Sequence, residues 1–367
     1  MDTTDPGIHF DENGYCNHCI KYFKAKNQYP HNLSKEQKKT ILDKIVNKIR
    51  DAGKNKRYDC LIGVSGGADS TYVAYLVKKL GLRPLAVHLD NGWDSELAVH
   101  NIEKTLKKLN IDLYTYVINW EEFKDLQLAF LKASTPDSEI PTDHAIGAIM
   151  QQTALKNQIK HIVSGMNFNT ESLLPAAWSH GHYDWKYIKT IHRLFGKRPL
   201  KSFPRMGYWD LFYWKILNGV KTFKIFDFVE YDHEDIMKIL TQELGWQYYG
   251  GKHYESVYTK FFQIYILPKK FGYDSRRAHL SNLICAGQIS RETALEELKK
   301  EMSPENQLAE NKSYVAKKLG LTEKEFDQIM RLPRKSFWDY PSHEKSWYFK
   351  FARKFYDLFY KGFDKPA

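Results

Sequence analysis

Hydrophobic positions recur along the chain with two different periods. Short apolar runs bounded by polar or glycine-containing turns predict buried strands, and runs with apolar residues at helical spacing predict helices. The predicted strands are 60–64, 85–89, 113–118, 161–164 and 226–231, and the predicted helices between the first four strands and after them are 71–80, 96–109, 121–133 and 143–157. Strands that alternate with helices indicate an α/β fold with a parallel, doubly wound sheet covered on both faces.

Further helices are predicted outside this alternating region. Ser34 and Gln37 have the spacing of a capping box, which predicts the start of a basic helix that ends near Arg50. Segments 290–302 and 322–330 have capped amphipathic patterns, which are more typical of structural helices than of segments that carry catalytic residues. The chain therefore carries a helical region on the C-terminal side of the predicted sheet.

Composition excludes several classes of protein. The chain has 367 residues and no apolar stretch long enough for a membrane span. Its N-terminus, Met-Asp-Thr-Thr-Asp-Pro, lacks the features of a secretory signal. Four cysteines in a chain of this length do not make a disulfide framework. We therefore expect a cytoplasmic protein.

The formal net charge of +11 suits anionic partners, such as nucleotides, sugar nucleotides, RNA or an anionic membrane surface. Charge alone does not choose among them, and each basic cluster is also compatible with a solvated face. Segment 335–365 mixes aromatic residues with lysine and arginine. This pattern fits peripheral membrane contact, a docking surface for another protein, or a segment that folds back onto the domain.

A glycine turn follows the first predicted strand. Positions 65–70 read Ser-Gly-Gly-Ala-Asp-Ser and lead directly into a predicted helix. Gly66 and Gly67 allow a tight turn that presents backbone N–H groups to an anion, and Ser65 and Ser70 add hydroxyl donors. The turn is not a Walker loop, because no Gly-Lys-Ser/Thr follows. It predicts a phosphate site of another type.

Polar residues also follow the other predicted strands. In a parallel sheet, ligands bind outside the carboxyl ends of the strands. We therefore expect the segments around His88 and Asp90, and around Ser164 and Gly165, to converge on the glycine turn and to bind the nucleotide.

Several candidates for substrate contact or proton handling lie elsewhere in the chain. Asp143 and His144 open a predicted helix, where Asp143 is equally suited to simple helix capping. Lys252 and Lys260 are candidates for pyrophosphate contact or for ordinary surface lysines. The candidate substrate-binding residues, which could instead belong to a helical cap with an aromatic core, are Trp178, Tyr183, Asp184, Arg276 and Arg277.

Cys16 and Cys19 form a Cys-x-x-Cys pair near the N-terminus. Such a pair is typical of half a zinc site or of a redox pair, and it is also compatible with buried thiols that bind nothing. Cys285 is a candidate third ligand, and the spacing along the sequence does not identify the others.

Taken together, these motifs resemble the N-acetyl sugar amidotransferases, a family of ATP pyrophosphatases (PP-loop enzymes) of bacterial surface-polysaccharide pathways, including lipopolysaccharide and O-antigen synthesis. The segments that carry the resemblance are 1–6, 10–14, 16–19, 65–70, 141–144, 250–260 and 272–288. The resemblance implies a sheet of the adenine-nucleotide α-hydrolase type. It also implies a use of ATP that releases pyrophosphate and AMP.

The implied reaction converts the acetamido group of a sugar to an acetamidino group. A nucleotide is the expected carrier of the sugar, and a lipid carrier is the alternative. ATP would adenylate the carbonyl oxygen, and ammonia from a separate glutaminase with a cyclase-like partner would displace AMP. The resemblance implies that 65–70 holds the pyrophosphate, that Asp69 holds Mg²⁺, and that Lys252 or Lys260 stabilises the departing pyrophosphate. No nucleic acid is expected as a partner.

These expectations divide the chain into four regions. They are an N-terminal segment with the candidate zinc site, 1–33; an ATP-binding core, 34–165; a substrate-binding insertion that also completes the sheet, 166–300; and a helical, basic-aromatic C-terminal region, 301–367. The alternative hypothesis is an ATP pyrophosphatase that modifies tRNA by thiolation or by a lysidine-type reaction. Such an enzyme shares the glycine loop and would suit the basic charge.

Overall fold

A parallel sheet of five strands forms the centre of the fold. The computed structural model describes residues 1–251, 253–347 and 349. The strands are β1 Cys60–Gly63, β2 Pro84–Asp90, β3 Asp112–Val117, β4 His161–Ser164 and β5 Lys221–Lys224. Their order in the sheet is β3-β2-β1-β4-β5, and every neighbouring pair is parallel. The chain therefore moves outward in one direction from β1 to β3 and in the other from β4 to β5. This reversal creates a switch point between β1 and β4.

Helices connect the strands and form the remainder of the described fold. The α-helices are α1 Asn17–Lys26, α2 Lys35–Ala52, α3 Ala68–Lys79, α4 Glu96–Leu109, α5 Trp120–Ala133, α6 Ile140–Lys156, α7 Phe168–Glu171, α8 Trp185–Phe195, α9 Tyr208–Phe212, α10 His233–Lys238, α11 Val257–Phe261, α12 Ser275–Ala286, α13 Arg291–Lys299, α14 Glu305–Lys318 and α15 Glu323–Arg331. Segments of π-helix extend α9, α10 and α11 over Tyr213–Leu217, Ile239–Leu244 and Phe262–Phe271, and 3₁₀ turns lie at Ile225–Asp227 and Phe337–Asp339.

Alternating residues of the strands pack on opposite faces of the sheet. Ile62 joins a buried cluster with Val73 of α3, whereas its neighbour Leu61 joins a cluster with Ile149 of α6. A central strand that buries both of its faces requires helices above and below the sheet. The predicted α/β class with a doubly wound parallel sheet is confirmed.

The largest apolar cluster lies beside the sheet and joins α5 to the C-terminal helices. It includes Phe123 of α5, Tyr187 of α8, Phe261 of α11 and Phe326 of α15, each no more than 1% exposed. Because these helices share one core with α5, which follows β3, the helical C-terminal region packs directly against the sheet domain. The predicted helical C-terminal region is confirmed up to the end of the described residues. The remainder of the predicted basic-aromatic tail, 350–367, lies outside the described residues.

The last predicted strand is wrong. The sequence pattern placed it at 226–231, whereas β5 is Lys221–Lys224 and a 3₁₀ turn follows it. Phe226 is buried because it stacks on Tyr72 of α3, with 6.0 Å between ring centroids. The apolar run therefore reflects packing of a turn against a helix, and the actual strand has a polar sequence that gives no such signal.

Among the described residues, none of the helices combines the length and apolar character needed to cross a bilayer.

Candidate functional site

A cavity of about 1370 Å³ lies at the carboxyl ends of β1, β2 and β4, next to the switch point of the sheet. Ten of the residues that the sequence proposed for function line it: Ser65, Gly67, Asp69, Ser70, His88, Asp143, Ser164, Gly165, Trp178 and Tyr183. The cavity is therefore the candidate active site, because ligands of open α/β sheets bind at this position.

The glycine loop turns directly from β1 into α3. Gly66 has φ +79°, and a Cβ at this position would lie 2.4 Å from the carbonyl oxygen of Ala98 in α4. Only glycine fits both the backbone conformation and the available space. Gly67 is the N-cap of α3, and because glycine has no side chain the N-terminus of this helix has no side-chain cap. The first N–H groups of α3 therefore face the cavity region as an anion-binding helix N-terminus.

Three aromatic residues that the sequence analysis missed line the same cavity and hydrogen-bond to this loop. The indole Nε1 of Trp246 donates to the carbonyl oxygen of Gly66 at 2.8 Å, and the backbone N–H of Ala68 donates to the hydroxyl of Tyr249 at 3.3 Å. The hydroxyl of Tyr231 donates to Oδ1 of Asp69 at 2.5 Å. These bonds constrain both the backbone of the loop and its acidic side chain.

His88 is buried at the end of β2 and contacts acceptors with both ring nitrogens. Nδ1 lies 2.9 Å from the carbonyl oxygen of Val64, and Nε2 lies 3.2 Å from Oδ2 of Asp94. Burial disfavours the charged imidazolium, but the hydrogen bond and charge of Asp94 outweigh it and raise the pKa of His88. Asp90, the other candidate after β2, does not line the cavity; its Oδ1 accepts from the N–H of Gly92 at 2.9 Å.

Ser164 and Gly165 follow β4 and face the start of α3. A Cβ on Gly165 would lie 3.0 Å from Cγ2 of Val73, so glycine allows the backbone after β4 to approach α3 closely. The hydroxyl of Ser164 accepts from the N–H of Met166 at 3.2 Å. The structure thus brings this segment to the same cavity wall as the glycine loop.

Two carboxylates that line another part of the cavity, those of Asp137 and Asp143, form a cluster with His182, which does not itself line the cavity. Nε2 of His182 lies 3.2 Å from Oδ2 of Asp137 and 3.3 Å from Oδ2 of Asp143. Burial opposes the charge on His182, but the hydrogen bond to Asp137 and the two carboxylate charges raise its pKa to about 9. Burial likewise raises the pKa of Asp143 to about 6, although 52% of its side chain remains accessible within the cavity. The cluster is therefore an imidazolium held between two carboxylates near neutral pH.

Ser179 joins this cluster but does not complete a nucleophilic triad. Its hydroxyl donates to Oδ2 of Asp137 at 2.5 Å and lies 3.0 Å from Nε2 of His182. A triad needs the serine and the carboxylate on different ring nitrogens, so that the imidazole can take the serine proton. Here serine and both carboxylates face the same nitrogen, and the geometry favours charge organisation over nucleophilic attack.

His144 is fully buried beside the cavity and does not line it. Its Nδ1 lies 2.7 Å from the carbonyl oxygen of His182, and its Nε2 accepts from the N–H of Met206 at 3.0 Å. Burial lowers the pKa of His144 to about 4, so the ring is neutral at physiological pH. With both nitrogens bonded to backbone groups, His144 positions the segment that carries His182, and proton transfer to a substrate is not supported by its geometry.

The segment before α11 contacts both the glycine loop and the loop after β2. Oε1 of Glu255 lies 3.3 Å from the hydroxyl of Ser65 and 3.9 Å from Nδ1 of His253. The same segment pairs with the loop after β2, because the N–H of Ser95 donates to the carbonyl oxygen of Glu255 at 2.8 Å. Glu255 therefore contacts the candidate phosphate site and lines the same cavity.

Of the two lysines proposed to contact the pyrophosphate, the structure describes one. Lys252 lies outside the described residues. The Nζ of Lys260 lies 5.0 Å from the ring centroid of Tyr254, and Lys260 does not line the cavity. Its side chain is thus oriented to an aromatic ring, and contact with a pyrophosphate would need a different rotamer.

The proposed substrate-binding residues divide into two groups. Trp178 and Tyr183 line the cavity, and Trp178 stacks on Tyr273 with 4.9 Å between ring centroids. The others, which do not line it, are held in contacts within the chain: Asp184 caps α8 and accepts from the N–H of His343 at 2.7 Å, Arg276 pairs with Asp274 at 2.8 Å, and Arg277 pairs with Asp2. For these three the geometry favours structural roles.

The cysteines of the N-terminal segment meet the third candidate. Sγ of Cys19 lies 3.4 Å from Sγ of Cys16 and 3.9 Å from Sγ of Cys285 in α12. Within the part of the chain that the structure describes, however, no group of three or more His, Cys, Asp or Glu side chains is arranged to hold a metal ion. The zinc prediction is not supported, and the contacts describe packed thiols.

Sequence reasoning missed Asp137, Glu139, Ser179 and Glu255 as cavity residues. A signal for the first two existed. Segment 135–144 contains three aspartates or glutamates together with turn-forming residues between two predicted helices, where a buried loop needs polar partners. Tyr231, Trp246 and Tyr249 gave no local signal, because they are distant in sequence from the glycine loop to which they hydrogen-bond.

Comparison with known proteins supports one part of this interpretation directly. Residues 255–355 match the family model described as "LPS biosynthesis protein WbpG-like, C-terminal domain". This segment is similar to WbpG-like C-terminal domains. The match confirms the resemblance to surface-polysaccharide enzymes over these residues, which begin at Glu255 in the cavity wall. The WbpG-like segment covers a minority of the chain.

A curated relative matches a shorter stretch. The tRNA(Ile)-lysidine synthase of Chlamydia pneumoniae is 36% identical to this chain over 75 residues. These residues make up 20% of this chain and 23% of the synthase, so the match spans less than a quarter of that relative.

Three solved structures are distantly similar in fold. The NH3-dependent NAD synthetase of Campylobacter jejuni is 13% identical, with coverage of 81% of this chain and 98% of the synthetase and a TM-score of 0.33. The NMN synthetase of Francisella tularensis is 17% identical, with coverage of 63% and 93% and a TM-score of 0.28. A predicted subunit of tRNA methyltransferase from Methanocaldococcus jannaschii is 13% identical, with coverage of 50% and 73% and a TM-score of 0.30.

Proposed function

We propose that the protein is an ATP-dependent amidotransferase that converts the acetamido group of a sugar to an acetamidino group during synthesis of a surface polysaccharide. The observation that carries this proposal is that one cavity holds both the Ser-Gly-Gly-Ala-Asp-Ser loop and a separate cluster of carboxylates around His182. The loop suits a pyrophosphate, and the cluster suits proton transfer to and from nitrogen. The similarity of 255–355 to a WbpG-like domain supports the assignment to lipopolysaccharide synthesis.

An amide carbonyl is a poor electrophile, so the reaction needs a leaving group on the carbonyl oxygen. Adenylation by ATP supplies one and releases pyrophosphate. In this proposal the N–H groups at the start of α3 and the hydroxyls of Ser65 and Ser70 stabilise the phosphate charge by preorganised hydrogen bonds. Asp69, a hard oxygen donor held by Tyr231, would hold Mg²⁺, which balances phosphate charge when it is bound.

The other lining residues have matching roles in the proposal. His88 and the segment of Ser164 and Gly165 contact the nucleoside end of ATP. Tyr183, which is 55% exposed and lies in the same cavity as the buried Trp178, offers a flat apolar face with a polar edge to the sugar or its nucleotide carrier. Lys260, which lies outside this set of lining residues, would stabilise the departing pyrophosphate after a change of rotamer, or Lys252 would do so. Ammonia would come from a separate glutaminase with a cyclase-like partner.

The experiment follows ATP with purified protein, Mg²⁺, ammonium and a panel of N-acetylated sugar nucleotides. We expect AMP and pyrophosphate, together with an acetamidino sugar, only when both the sugar and ammonium are present. Asp69→Asn should abolish the reaction, and Asp51→Asn, which changes an exposed aspartate of α2, is the matched control. ADP as the product, or AMP release that needs no sugar, would contradict the proposal.

The similarity to a lysidine synthase favours tRNA modification as a second candidate. In that case AMP release would require tRNA, and binding would weaken steeply with salt because phosphate contacts release counterions. A sugar nucleotide offers few phosphates, so its binding should depend only weakly on salt. Replacing the sugar panel with bulk tRNA in the same assay distinguishes the two functions.

A further inference from the structure

Glu139 is a cavity residue that neither the sequence motifs nor the family match assigns. It is the N-cap of α6, yet its side chain makes no cap bond to the helix. Instead, the hydroxyl of Thr259 donates to Oε2 of Glu139 at 2.6 Å. Its Oε1 is buried and has no hydrogen-bond partner among the described residues. A buried carboxyl oxygen without a hydrogen-bond partner is costly in either protonation state, so it points to a ligand that supplies one.

The surroundings of Glu139 favour a small cationic or proton-donating ligand. The titratable side chains that face it are Asp137 from the preceding loop, Asp143 from α6 and Tyr258 from α11. Three carboxyl groups thus share this region with one imidazolium, His182. The excess of negative charge attracts an ammonium ion and repels another anion.

The position of Glu139 also connects it to the phosphate site. Thr259, its hydrogen-bond donor, lies in the first turn of α11, and Glu255 lies just before the N-cap of this helix. Glu255 in turn contacts Ser65 at the start of the glycine loop, at 3.3 Å. One short segment therefore contacts both the candidate phosphate loop and the carboxyl group of Glu139, within the same cavity.

We propose that Glu139 binds the incoming ammonium and is the catalytic proton acceptor for the nitrogen that displaces AMP. This inference rests on the proposed amidotransferase function and assigns a residue to its second step. Because Oε1 is the unpartnered oxygen, it is the atom that receives the proton, while Oε2 stays hydrogen-bonded to Thr259.

Ammonium bound at Glu139 gives one proton to solvent. The nitrogen lone pair of the resulting ammonia forms a C–N bond to the carbon of the adenylated acetamido group, while the π pair of the C=N bond at that carbon moves onto the sugar nitrogen. The new nitrogen is then positively charged, and it loses a proton to Glu139. The electron pair on the sugar nitrogen re-forms the C=N bond as the C–O bond to AMP breaks, and AMP leaves with the electron pair of that C–O bond. The product is the amidine, and Glu139 returns its proton to solvent.

The raised pKa of Glu139 is consistent with its proposed role as proton acceptor. Burial raises its pKa most, and the charges of Asp143 and Asp137 add to this, whereas the bond from Thr259 opposes it; the resulting pKa is about 8. A carboxylate of this basicity takes a proton from a protonated amine more readily than an ordinary glutamate does, because an efficient general base has a pKa near the working pH.

The test separates adenylation from amidation in the intact protein. Exchange of labelled pyrophosphate into ATP, with the acetamido sugar nucleotide but without ammonium, reports adenylation alone. Glu139→Gln should keep this exchange within about threefold of wild type, while amidine formation at saturating ammonium falls at least about 100-fold, the usual contribution of a general base. Hydroxylamine, a weaker base that releases its proton more easily, should restore part of the rate. Glu310→Gln, at an exposed position of α14, is the matched control.

A second variant addresses the role of Thr259 without removing the carboxyl group. Thr259→Val removes the donor that lowers the pKa of Glu139, so the pH at which amidation reaches half of its maximum should move to a higher value. Thr40→Val, at an exposed position of α2, is the control. A structural role for Glu139 would not move this profile.

The outcomes are distinct. Absence of sugar-dependent exchange in the wild type would refute the amidotransferase proposal itself. Normal exchange with unchanged amidation in Glu139→Gln would overturn only the assignment of Glu139. Equal losses of exchange and amidation in this variant, without rescue by hydroxylamine, would also overturn it.

Discussion

The indole of Trp246 donates a 2.8 Å hydrogen bond to the carbonyl oxygen of Gly66, which lies in the middle of the glycine loop. Trp246 is 2% exposed and follows the π-helical segment after α10. An acceptor in a turn between a strand and a helix has no secondary-structure partner, so this bond satisfies it. A residue distant in sequence thus determines the shape of the candidate phosphate site.

Trp246→Phe keeps an aromatic ring but removes this donor. We expect the free energy of unfolding to fall by about 1–3 kcal/mol, the usual cost of leaving a buried carbonyl unsatisfied, with an added loss from the smaller ring. The affinity for ATP should fall as well, because the loop loses its support. Chemical denaturation and ATP titration measure the two effects. Trp209→Phe, at a position 84% exposed, is the control, and equal effects in both variants would contradict the role of Trp246.

Gly66→Ala and Gly320→Ala form a pair that separates crowding from backbone strain. Both glycines have positive φ, +79° and +75°, but a Cβ at Gly66 meets the backbone of Ala98 whereas one at Gly320 meets nothing within 4 Å. We expect Gly320→Ala to lower the free energy of unfolding by about 1 kcal/mol, from strain alone. Gly66→Ala should cost clearly more and should abolish ATP binding. Similar stabilities would show that the loop can shift away from α4.

Tyr231→Phe removes the hydroxyl that donates to Oδ1 of Asp69 at 2.5 Å. The carboxyl group should become less well oriented, so the concentration of Mg²⁺ that gives half-maximal AMP formation should rise several-fold, with a smaller change at saturating Mg²⁺. Tyr15→Phe, on an exposed turn, is the control. A loss of rate that Mg²⁺ does not restore would mean that Tyr231 acts in another way.

His182→Gln should make the stability of the protein depend differently on pH. The pKa of His182 is raised to about 9 in the folded protein, so its stabilising effect is complete below about pH 6.5, the unperturbed pKa of histidine, and is lost as the pH rises through 9. The difference in free energy of unfolding between wild type and variant should therefore shrink between pH 6.5 and 9, by on the order of 3 kcal/mol. Denaturation curves at several pH values measure it.

His100→Gln, which changes an exposed histidine of α4, is the control for this experiment. A difference between wild type and His182→Gln that stays constant across this pH range would contradict the ion pairs of His182 with Asp137 and Asp143.

Sequence patterns predicted much of the fold, because most of its strands, helices and turns are determined by residues close in sequence. The first four strands, the helices between them and the loop around Gly66 each depend on residues close in sequence. The strand predicted at 226–231 failed because burial of Phe226 came from contact with α3, and apolar sequence alone does not tell a buried turn from a buried strand.

The candidate site was less predictable, because the same residue types serve structure and chemistry. His144 and Arg277 have side chains suited to catalysis or binding. However, both ring nitrogens of His144 contact backbone groups, and the guanidinium of Arg277 pairs with Asp2. Conversely, Glu139 has no motif around it. Only the folded chain shows that Thr259 hydrogen-bonds to one carboxyl oxygen, whereas no described group hydrogen-bonds to the other. Which partner a polar group finds is a property of tertiary structure.

The segment around Glu255 has a consequence for how such proteins diversify. The match to WbpG-like C-terminal domains starts at this residue, and yet its carboxyl group contacts Ser65 in the glycine loop. The border seen by sequence comparison therefore runs through the wall of a single cavity. A chimera joined at this border would replace only some of the residues that line the cavity. Exchange of these regions between relatives should therefore preserve activity only when the contacting residues on both sides of the border are exchanged together.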